Sequence, residues 1–448
     1  MRLRPTARLL VCCVALATAP ATARAAEQTS LTTTLESEWA VETGSGRAHK
    51  LEVILQSQLD QALPGGFRLT AIGRAHADVY DRLAPGGPRQ PEVWTPTRRL
   101  ELGDRVDLEL RELYVEGRIG AAWLRIGKQQ VVWGEADGLK VLDVVNPQDF
   151  REFILDEFDD SRIPLWTANV ELPVRSATLQ LLWIPDPSTH DVPRPGATFA
   201  FRAPRLVGPE PPPGVVVKLR APNRPDPFRG SDLGARLTGR LGGWDLGVSY
   251  LWHHDDVPAL RRGPLRFANG VPTVDVEPTY ERTHVAGVTA SNSFGDLTVR
   301  LEAAYTSERW MPSDDADDRD GAVRTSEIGA VLGLDWYGFR DTVLSFQIFP
   351  SLLPDGGPGL LRDRLDTNLT FLARRTLAHE RLVTELIWLH NLNQDDGLVR
   401  PELRYELRDG LWVWAGLDWF YGTREGLFGQ FDACDRALLG FEWGLPTL

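Results

Sequence analysis

Apolar and polar residues alternate along most of this chain. A period of two predicts a β-strand with one apolar and one polar face. Only helices and closed barrels satisfy every backbone polar group in hydrocarbon, and the pattern recurs here in segments of about ten residues. It therefore predicts an all-β fold, a transmembrane antiparallel β-barrel. The clearest segment is 66–80, with Phe67, Leu69, Ala71, Ala75, Ala77 and Val79 on one face and Arg68, Thr70, Arg74, His76 and Asp78 on the other.

The connections between the predicted strands alternate in length. Those after even-numbered strands are tight, as at 119–120 and 242–243, whereas most of those after odd-numbered strands are long, as at 81–103 and 255–278. Outer-membrane barrels have short periplasmic turns and long external loops, so the first strand should start and the last should end at the periplasmic rim. A soluble β-sandwich, the alternative, has no reason to keep this parity. We predict about 16–18 strands, near 30–42, 48–60, 66–80, 104–118, 121–128, 163–173, 176–184, 231–241, 243–254, 279–293, 295–308, 324–337, 340–349, 364–376, 379–390, 398–408, 411–422 and 434–445.

Aromatic residues cluster at both ends of the predicted strands. Membrane barrels carry aromatic girdles at the two interfaces, so this placement favours the same architecture. Alternatively, individual tryptophans fill a protein core. The external set is Trp183, Trp252, Trp310, Trp419, Phe420 and Tyr421, and the periplasmic set is Trp244, Trp336, Trp412 and Trp443.

The first 25 residues predict a secretory signal peptide. Three arginines precede an apolar stretch at 9–19, and small residues at 23–25 form the cleavage site. The barrel is predicted at 26–448, in the outer membrane of a Gram-negative bacterium. Cleavage would leave Cys434 as the one cysteine, so no intrachain disulfide is expected.

Composition agrees with this architecture. A mean hydropathy of −0.23 suits a barrel whose polar lumen offsets its lipid-facing side. The net charge of −13 argues against nucleic acid as a partner. The expected contacts are outer-membrane lipid and lipopolysaccharide.

Two connections depart from a simple loop. Residues 185–230 are rich in proline and predict an extended external loop, with a polyproline docking site as the alternative. At 128–164 the alternation fails, and the spacing of aromatic residues at 149–158 is helical. A segment of this kind is expected to fold into the lumen and constrict it. The alternative is a structured external loop without a role in the pore.

The polar positions of this segment and of the strand faces are candidate pore residues. Arginines opposite acidic residues at a constriction would set up a transverse field that orients charged solutes. The constriction candidates are Lys128, Gln129, Trp133, Glu135, Asp143, Asn146, Asp149 and Arg151. The candidates for the lumen wall are Arg68, Arg74, His76, Arg125, Arg236, Arg240, Arg300 and Glu302.

The chain contains two runs that carry a family resemblance. Residues 125–135 read Arg-Ile-Gly-Lys-Gln-Gln-Val-Val-Trp-Gly-Glu, and 144–149 read Val-Val-Asn-Pro-Gln-Asp. They resemble the hallmark of a proteobacterial outer-membrane family, domain of unknown function 1302, with the pattern G-[KR]-Q-x-V-x-W-G-E and then N-P-x-D. The resemblance implies a porin-like barrel, often found with lipid or hydrophobe exporters and a periplasmic carrier-like protein. The acidic run at 156–160 departs from the family pattern, so no selectivity is inferred from the resemblance.

Sequence motifs for catalysis are absent. No G-x-S-x-G, phosphate loop, H-E-x-x-H or paired-cysteine motif occurs, so we predict no enzyme, no cofactor and no metal site. The acidic loop at 314–321 lacks the first ligand of an EF-hand because Ala316 stands there, and loose divalent binding is the alternative to a solvated tip.

The function predicted from these observations is an outer-membrane channel that passes small or amphipathic solutes. One alternative is the outer-membrane scaffold of an exporter or electron conduit, with a periplasmic partner. Another is an integral outer-membrane enzyme that acts on lipids, which requires only a scattered Ser/His/Asn set.

Overall fold

Eighteen strands form a closed antiparallel barrel in the computed structural model, which describes residues 29–85, 98–315, 318, 320–357 and 359–445. Each barrel strand pairs with the next along the chain, and the first pairs with the last, with Glu42 opposite Arg436. The predicted signal peptide at 1–25 lies outside the described residues. The strands are β1 Thr29–Glu42, β2 Ala48–Leu63, β3 Phe67–Asp78, β4 Val106–Ile119, β5 Ala122–Gln129, β6 Leu165–Val174, β7 Ala177–Ile184, β8 Asp232–Leu241, β9 Trp244–His254, β10 Arg282–Phe294, β11 Leu297–Pro312, β12 Ala322–Trp336, β13 Thr342–Leu352, β14 Leu365–Leu377, β15 Leu382–Asn391, β16 Asp396–Arg408, β17 Leu411–Tyr421 and β18 Arg436–Leu445.

The predicted all-β barrel is confirmed, at the upper end of the predicted strand number. Short connections follow the even-numbered strands, and long ones follow most odd-numbered strands, although 43–47 and 392–395 are short. Within the described residues, no helix is long and apolar enough to cross a membrane. In the described ranges the remaining elements are the α-helices Phe158–Ser161 and Pro204–Val207, the 3-10 helices Pro64–Gly66 and Gly429–Cys434, and the short strands Leu100–Glu101, Val216–Leu219, Ala259–Arg262, Arg266–Ala268 and Val271–Thr279.

Alternation along the strands separates an apolar outer face from a polar inner face. On β11, Leu301 and Tyr305 point outward and are 40% and 46% exposed, whereas Glu302 between them is buried against the lumenal contents. A bulge between β3 and β4 modifies this pattern locally. On β4, Arg111 is an extra residue opposite the step from Ile72 to Gly73 on β3. Bulges re-aim side chains, and here the Arg111 guanidinium donates hydrogen bonds to backbone carbonyls of Asp160 and Arg162 in the lumen.

Two residues of the predicted aromatic girdles face inward instead. Trp412 lies on the same face of β17 as Trp414, whose Nε1 donates to Glu38 in the lumen at 3.2 Å. Phe420 is fully buried in a lumenal apolar cluster, while its neighbours Trp419 and Tyr421 face outward. The girdle assignment was wrong at these two positions because consecutive residues of a strand point to opposite faces.

The Pro-rich connection at 185–230 is only partly an external excursion. Phe199 and Ala203 are fully buried at the external mouth, and the Arg205 guanidinium forms an ion pair with Asp366 on β14. Farther along, Val216–Leu219 pairs in parallel with Val271–Thr279 in a small sheet outside the barrel. We expected an extended loop throughout. This part of the connection joins a sheet edge because residues 214–220 contain no proline.

The chain leaves the barrel wall after Gln129, where β5 ends. Gly127 has φ +138°, and a β carbon there would collide with the backbone of Leu113 and Tyr114 on β4. Lys128 and Gln129 follow and are buried in the wall. Lys128 Nζ donates to the carbonyl of Leu110 at 2.6 Å, and Gln129 Nε2 donates to the carbonyl of Thr167 at 3.0 Å. These contacts fix the direction in which the chain enters the lumen.

The two faces of β11 should respond differently to arginine. Leu301→Arg should reduce the folded protein recovered in outer membranes, because a lipid-facing arginine costs about 2–4 kcal/mol at mid-membrane and less toward the interfaces. The control is Thr298→Arg on the inner face of the same strand, where water can solvate the charge. Heat-modifiable migration on gels measures the folded fraction, and equal losses in both variants would contradict the face assignment.

Gly127→Ala should destabilise the barrel where the chain turns inward. The strained φ costs on the order of 1–3 kcal/mol, and the collision with β4 adds to it. Gly73→Ala on β3 is the matched control, because its φ is not positive and no atom lies within 4 Å of the added carbon. Unfolding in urea, followed by loss of the heat-modifiable band, should show a lower midpoint for Gly127→Ala only. Equal midpoints would show that position 127 does not require glycine.

Candidate functional site

Residues 130–164, here called the inward segment, cross the barrel lumen. On one side, Glu302 on β11 accepts hydrogen bonds from the backbone N–H of Glu135 and from that of Leu142, the latter at 3.2 Å. Asp137 forms an ion pair with Arg300 on β11, and its backbone N–H donates to Gln347 on β13 at 3.2 Å. The segment is therefore fastened to the wall opposite its own strands.

Apolar packing fills the lumen next to that wall. Trp133 is 2% exposed, and its Nε1 donates to Gln180 on β7 at 2.8 Å. Leu142 is 1% exposed and packs in the same cluster. Trp133 and Leu142 therefore leave little uncovered surface on this side of the segment. The other members of the cluster are Val131, Val145, Leu165, Leu182, Ile184, Leu251, Val285 and Ala304.

Polar contacts hold the inward segment in its own conformation. Asn146 accepts a hydrogen bond from the N–H of Val131 at 2.7 Å and donates to the carbonyl of Ile163 at 2.8 Å. The Arg162 guanidinium contacts Asp143 at 2.8 Å, and Lys140 lies 3.4 Å from the same carboxylate. Burial lowers the pKa of Lys140 to about 8. The helical spacing noted at 149–158 corresponds to turns at 150–155, followed by the short helix Phe158–Ser161.

The other side of the inward segment borders a large charged cavity. Its volume is about 440 Å³, and we call it the seam cavity because β18, β1 and β2, which close the barrel, contribute to its wall. It extends from the external loop at 98–105 to Arg404 and Glu442 in the periplasmic halves of β16 and β18. Residues of the inward segment that line it are Asp149, Arg151, Glu152, Leu155, Asp156, Glu157, Asp160 and Ile163.

The external half of the seam cavity is rich in arginine and in ion pairs. The Arg99 guanidinium lies 2.9 Å from Asp149 and 2.7 Å from Asp191. Burial acts to raise the pKa of Asp149, but Arg151 and Arg99 outweigh burial and hold that pKa below its usual range. Burial also lowers the pKa of His190 to about 3, and its neutral ring accepts a hydrogen bond from the N–H of Gln148. These contacts join the inward segment to the external loops.

Toward the periplasmic half, carboxylates from several elements face one another. Glu36, Glu402 and Glu442 line the wall, and Asp156, Glu157 and Asp160 line the inward segment. The counter-charges are fewer. Asp160 forms an ion pair with Arg74 on β3, and Arg404 contacts Glu442 at 2.5 Å. Across the whole lining, carboxylate side chains outnumber those of lysine and arginine.

Of the eight predicted constriction residues, only Asp149 and Arg151 line the seam cavity. Lys128 and Gln129 are buried in the barrel wall, and Trp133 and Asn146 are buried within the packing of the segment. Glu135 faces the opposite wall, and Asp143 pairs within the segment rather than with wall arginines. Polarity alone did not separate lining residues from supporting ones. In the sequence, a polar residue that is buried and hydrogen-bonded to backbone cannot be distinguished from a polar residue that faces a cavity.

The eight predicted wall residues lie on inward-facing register positions but in different surroundings. Arg74 and His76 line the seam cavity, whereas Arg300 and Glu302 bind the inward segment on its packed side. Arg236 donates to the carbonyl of Val132 at 3.3 Å. The others lie nearer the periplasmic rim: Arg125 contacts Glu116 at 2.7 Å, Arg68 pairs across the sheet with Glu116, and Arg240 contacts Asp245 at 2.6 Å.

Several lining residues escaped the sequence analysis. Lys50 and Arg400 lie on polar faces of predicted strands, so the alternation marks them only as two of many inward positions. Lysine is rare in this chain, with Lys50, Lys128, Lys140 and Lys218 its only examples. The first two are almost fully buried. The rarity of lysine was therefore a feature of the composition that could have drawn attention to Lys50. Arg99 and Asp191 are in loops and carried no signal.

Metal ligands do not converge anywhere in the part of the chain that the structure describes. The acidic loop at 314–321 falls partly outside that part, since Ala316 and Asp317 are not described. Its remaining aspartates do not form a group suited to a cation.

Comparison with known proteins agrees with this architecture. The solved structures of OccK2 (OpdF) of Pseudomonas aeruginosa and OccAB2 of Acinetobacter baumannii are 13% and 11% identical in sequence, with TM-scores of 0.53 and 0.51. OccK1 (OpdK) of Pseudomonas aeruginosa is 12% identical, with a TM-score of 0.50. Each comparison covers 94% of this chain and 98–99% of the other. The fold is therefore that of outer-membrane porins of Gram-negative bacteria.

Sequence comparison identifies the family. No curated protein has a matching sequence. The family model described as "Protein of unknown function (DUF1302)" matches residues 74–329, which is more than half of the chain and includes both motif runs. The expectation raised by those runs is confirmed, and this chain belongs to the DUF1302 family.

Proposed function

We propose that this protein is an outer-membrane channel and that small water-soluble solutes pass through the seam cavity. One observation carries the proposal. The inward segment packs tightly against β7 and β9–β11 but leaves a charged space of about 440 Å³ on the seam side. That space follows the strands from the external loops into their periplasmic halves, as a solute path must.

The charges along this path favour cationic or dipolar solutes. Carboxylates are in excess among the lining residues. On the inward segment Asp156, Glu157 and Asp160 face the path, and on the wall Arg74 and Arg404 face it from the other side. Opposed charges of this kind create a transverse field that aligns a dipolar solute as it passes.

The lining of the seam cavity is less favourable for an anionic solute. One similar structure, OpdK of Pseudomonas aeruginosa, was solved with vanillate, an aromatic carboxylate. That ligand belongs to OpdK, and the excess of carboxylates here argues against a solute of the same charge. A periplasmic exporter or carrier partner, implied by the family resemblance, stays a prediction.

Purified protein in planar bilayers should conduct and should prefer cations. The excess of lumenal carboxylates raises the local concentration of cations, so a salt gradient should give a reversal potential of the sign expected for cation selectivity. Higher salt should reduce the preference, because charges facing water are screened. Selectivity for anions would contradict the charge argument, and no conductance in correctly folded barrels would contradict the channel.

Replacing the inward segment with a short Gly/Ser turn should widen the path. The replacement should span 130–164 and keep Lys128 and Gln129, because those residues hold β5 to its neighbours. Without the segment, the lumen between β11–β13 and the seam becomes one space, so single-channel conductance should rise several-fold. Heat-modifiable migration establishes that the variant has folded. An unchanged conductance in folded variants would mean that the segment does not limit passage.

A further inference from the structure

We propose that Glu152 is the positioning residue of the channel. It fixes the tip of the inward segment to the seam of the barrel and so sets the width and the charge of the path. This inference rests on the proposed function, since it concerns the same cavity. Three sets of contacts carry it: an ion-pair bridge across the seam, a charge network behind that bridge, and a strained aromatic anchor beside it.

The bridge joins two strands that are not neighbours. One carboxylate oxygen of Glu152 lies 2.6 Å from Lys50 Nζ on β2, and the other lies 2.9 Å from Arg436 Nη2 on β18. The strand between β18 and β2 is β1, where Ala40 pairs with Lys50 and with Leu438 and is fully buried. The Glu152 side chain is itself only 7% exposed. It therefore links the two strands that flank β1, across the place where the barrel closes.

The cations that Glu152 joins have other partners on the wall. Lys50 also contacts Glu38 at 3.2 Å and forms an ion pair with Glu52. Arg436 also contacts Asp418 at 2.7 Å, and Asp418 contacts Arg400 at 2.8 Å. Loss of the Glu152 charge would leave Lys50 and Arg436 paired on the wall. The barrel should therefore still fold, and only the inward segment should be held less firmly.

The residue after Glu152 is the second anchor. Phe153 has φ +59°, a left-handed conformation that is unfavourable for a residue with a β carbon. Its ring is 5% exposed and lies 4.8 Å from the ring of Phe431 and 5.9 Å from that of Phe428, centroid to centroid. A strained backbone persists only where surrounding contacts hold it. Here the aromatic cluster holds one side of the tip and the Glu152 bridge holds the other.

The position of the tip determines what a solute meets next. Asp156 and Glu157 follow it directly and line the seam cavity. Burial and the nearby Glu152 carboxylate raise the pKa of Asp156. If the tip moved away from the seam, these carboxylates would move with it, and Lys50 and Arg436 would become more exposed to the path.

The test compares two variants with the same change in formal charge. Glu152→Gln removes the bridging carboxylate, and Glu157→Gln removes an exposed carboxylate of the same cavity, one that forms no ion pair with another described residue. In planar bilayers, Glu152→Gln should lower cation selectivity more than Glu157→Gln and should add open-channel noise. Glu152→Asp, which keeps the charge, should restore most of the selectivity. Equal effects of the two Gln variants would overturn the positioning role.

Hydrogen exchange of the folded full-length protein supplies a readout that does not need conductance. In Glu152→Gln, the amides of 150–156 should exchange about tenfold faster or more, while those of the barrel strands stay protected. Glu157→Gln should leave exchange at 150–156 unchanged. Unchanged exchange in Glu152→Gln would show that Glu152 does not hold the segment. If the amides at 150–156 are protected in the wild-type protein and exchange faster in Glu152→Gln, but the wild-type protein does not conduct, the proposed channel would be overturned. The role of Glu152 in holding the inward segment would still stand.

Discussion

The structure depends on one constraint, that no backbone N–H or C=O can face hydrocarbon without a partner. An antiparallel sheet meets this constraint only when its first and last strands pair, as β1 and β18 do over Thr33–Glu42 and Arg436–Leu445. Closure creates an interior shielded from lipid. It also means that anything inside the barrel is held by side chains of the wall, since the wall's backbone groups are already used in the sheet.

The inward segment meets two kinds of wall, and this difference creates the candidate site. Against β7 and β9–β11 it buries Trp133 and Leu142 among apolar side chains, and such packing leaves no space. Against the seam it presents Glu152 and its neighbours to charged side chains. Ion pairs require their charges to be hydrated or closely matched, so this side holds a cavity rather than a packed core.

The same division explains which site residues the sequence could indicate. Arg74 and His76 were accessible to prediction because each stands at an inward position of a regular strand. Lys128, Gln129 and Asn146 were placed in the constriction because they are polar and lie in the irregular region, but their hydrogen bonds go to backbone and to wall strands. Trp412 and Phe420 show the converse, since aromatic character near a strand end does not reveal which face a side chain occupies.

By itself the sequence determined the strands, their order, the parity of their connections and the family. These are properties of local alternation and of a short motif, in which each residue's role follows from its neighbours in the chain. Only the tertiary structure decided what lines the cavity. Glu152 and Arg436 are 284 positions apart and meet because the barrel closes, a contact that no local pattern encodes. The long-range pairing of charges inside a closed barrel therefore turns an irregular connection into the lining of a defined cavity.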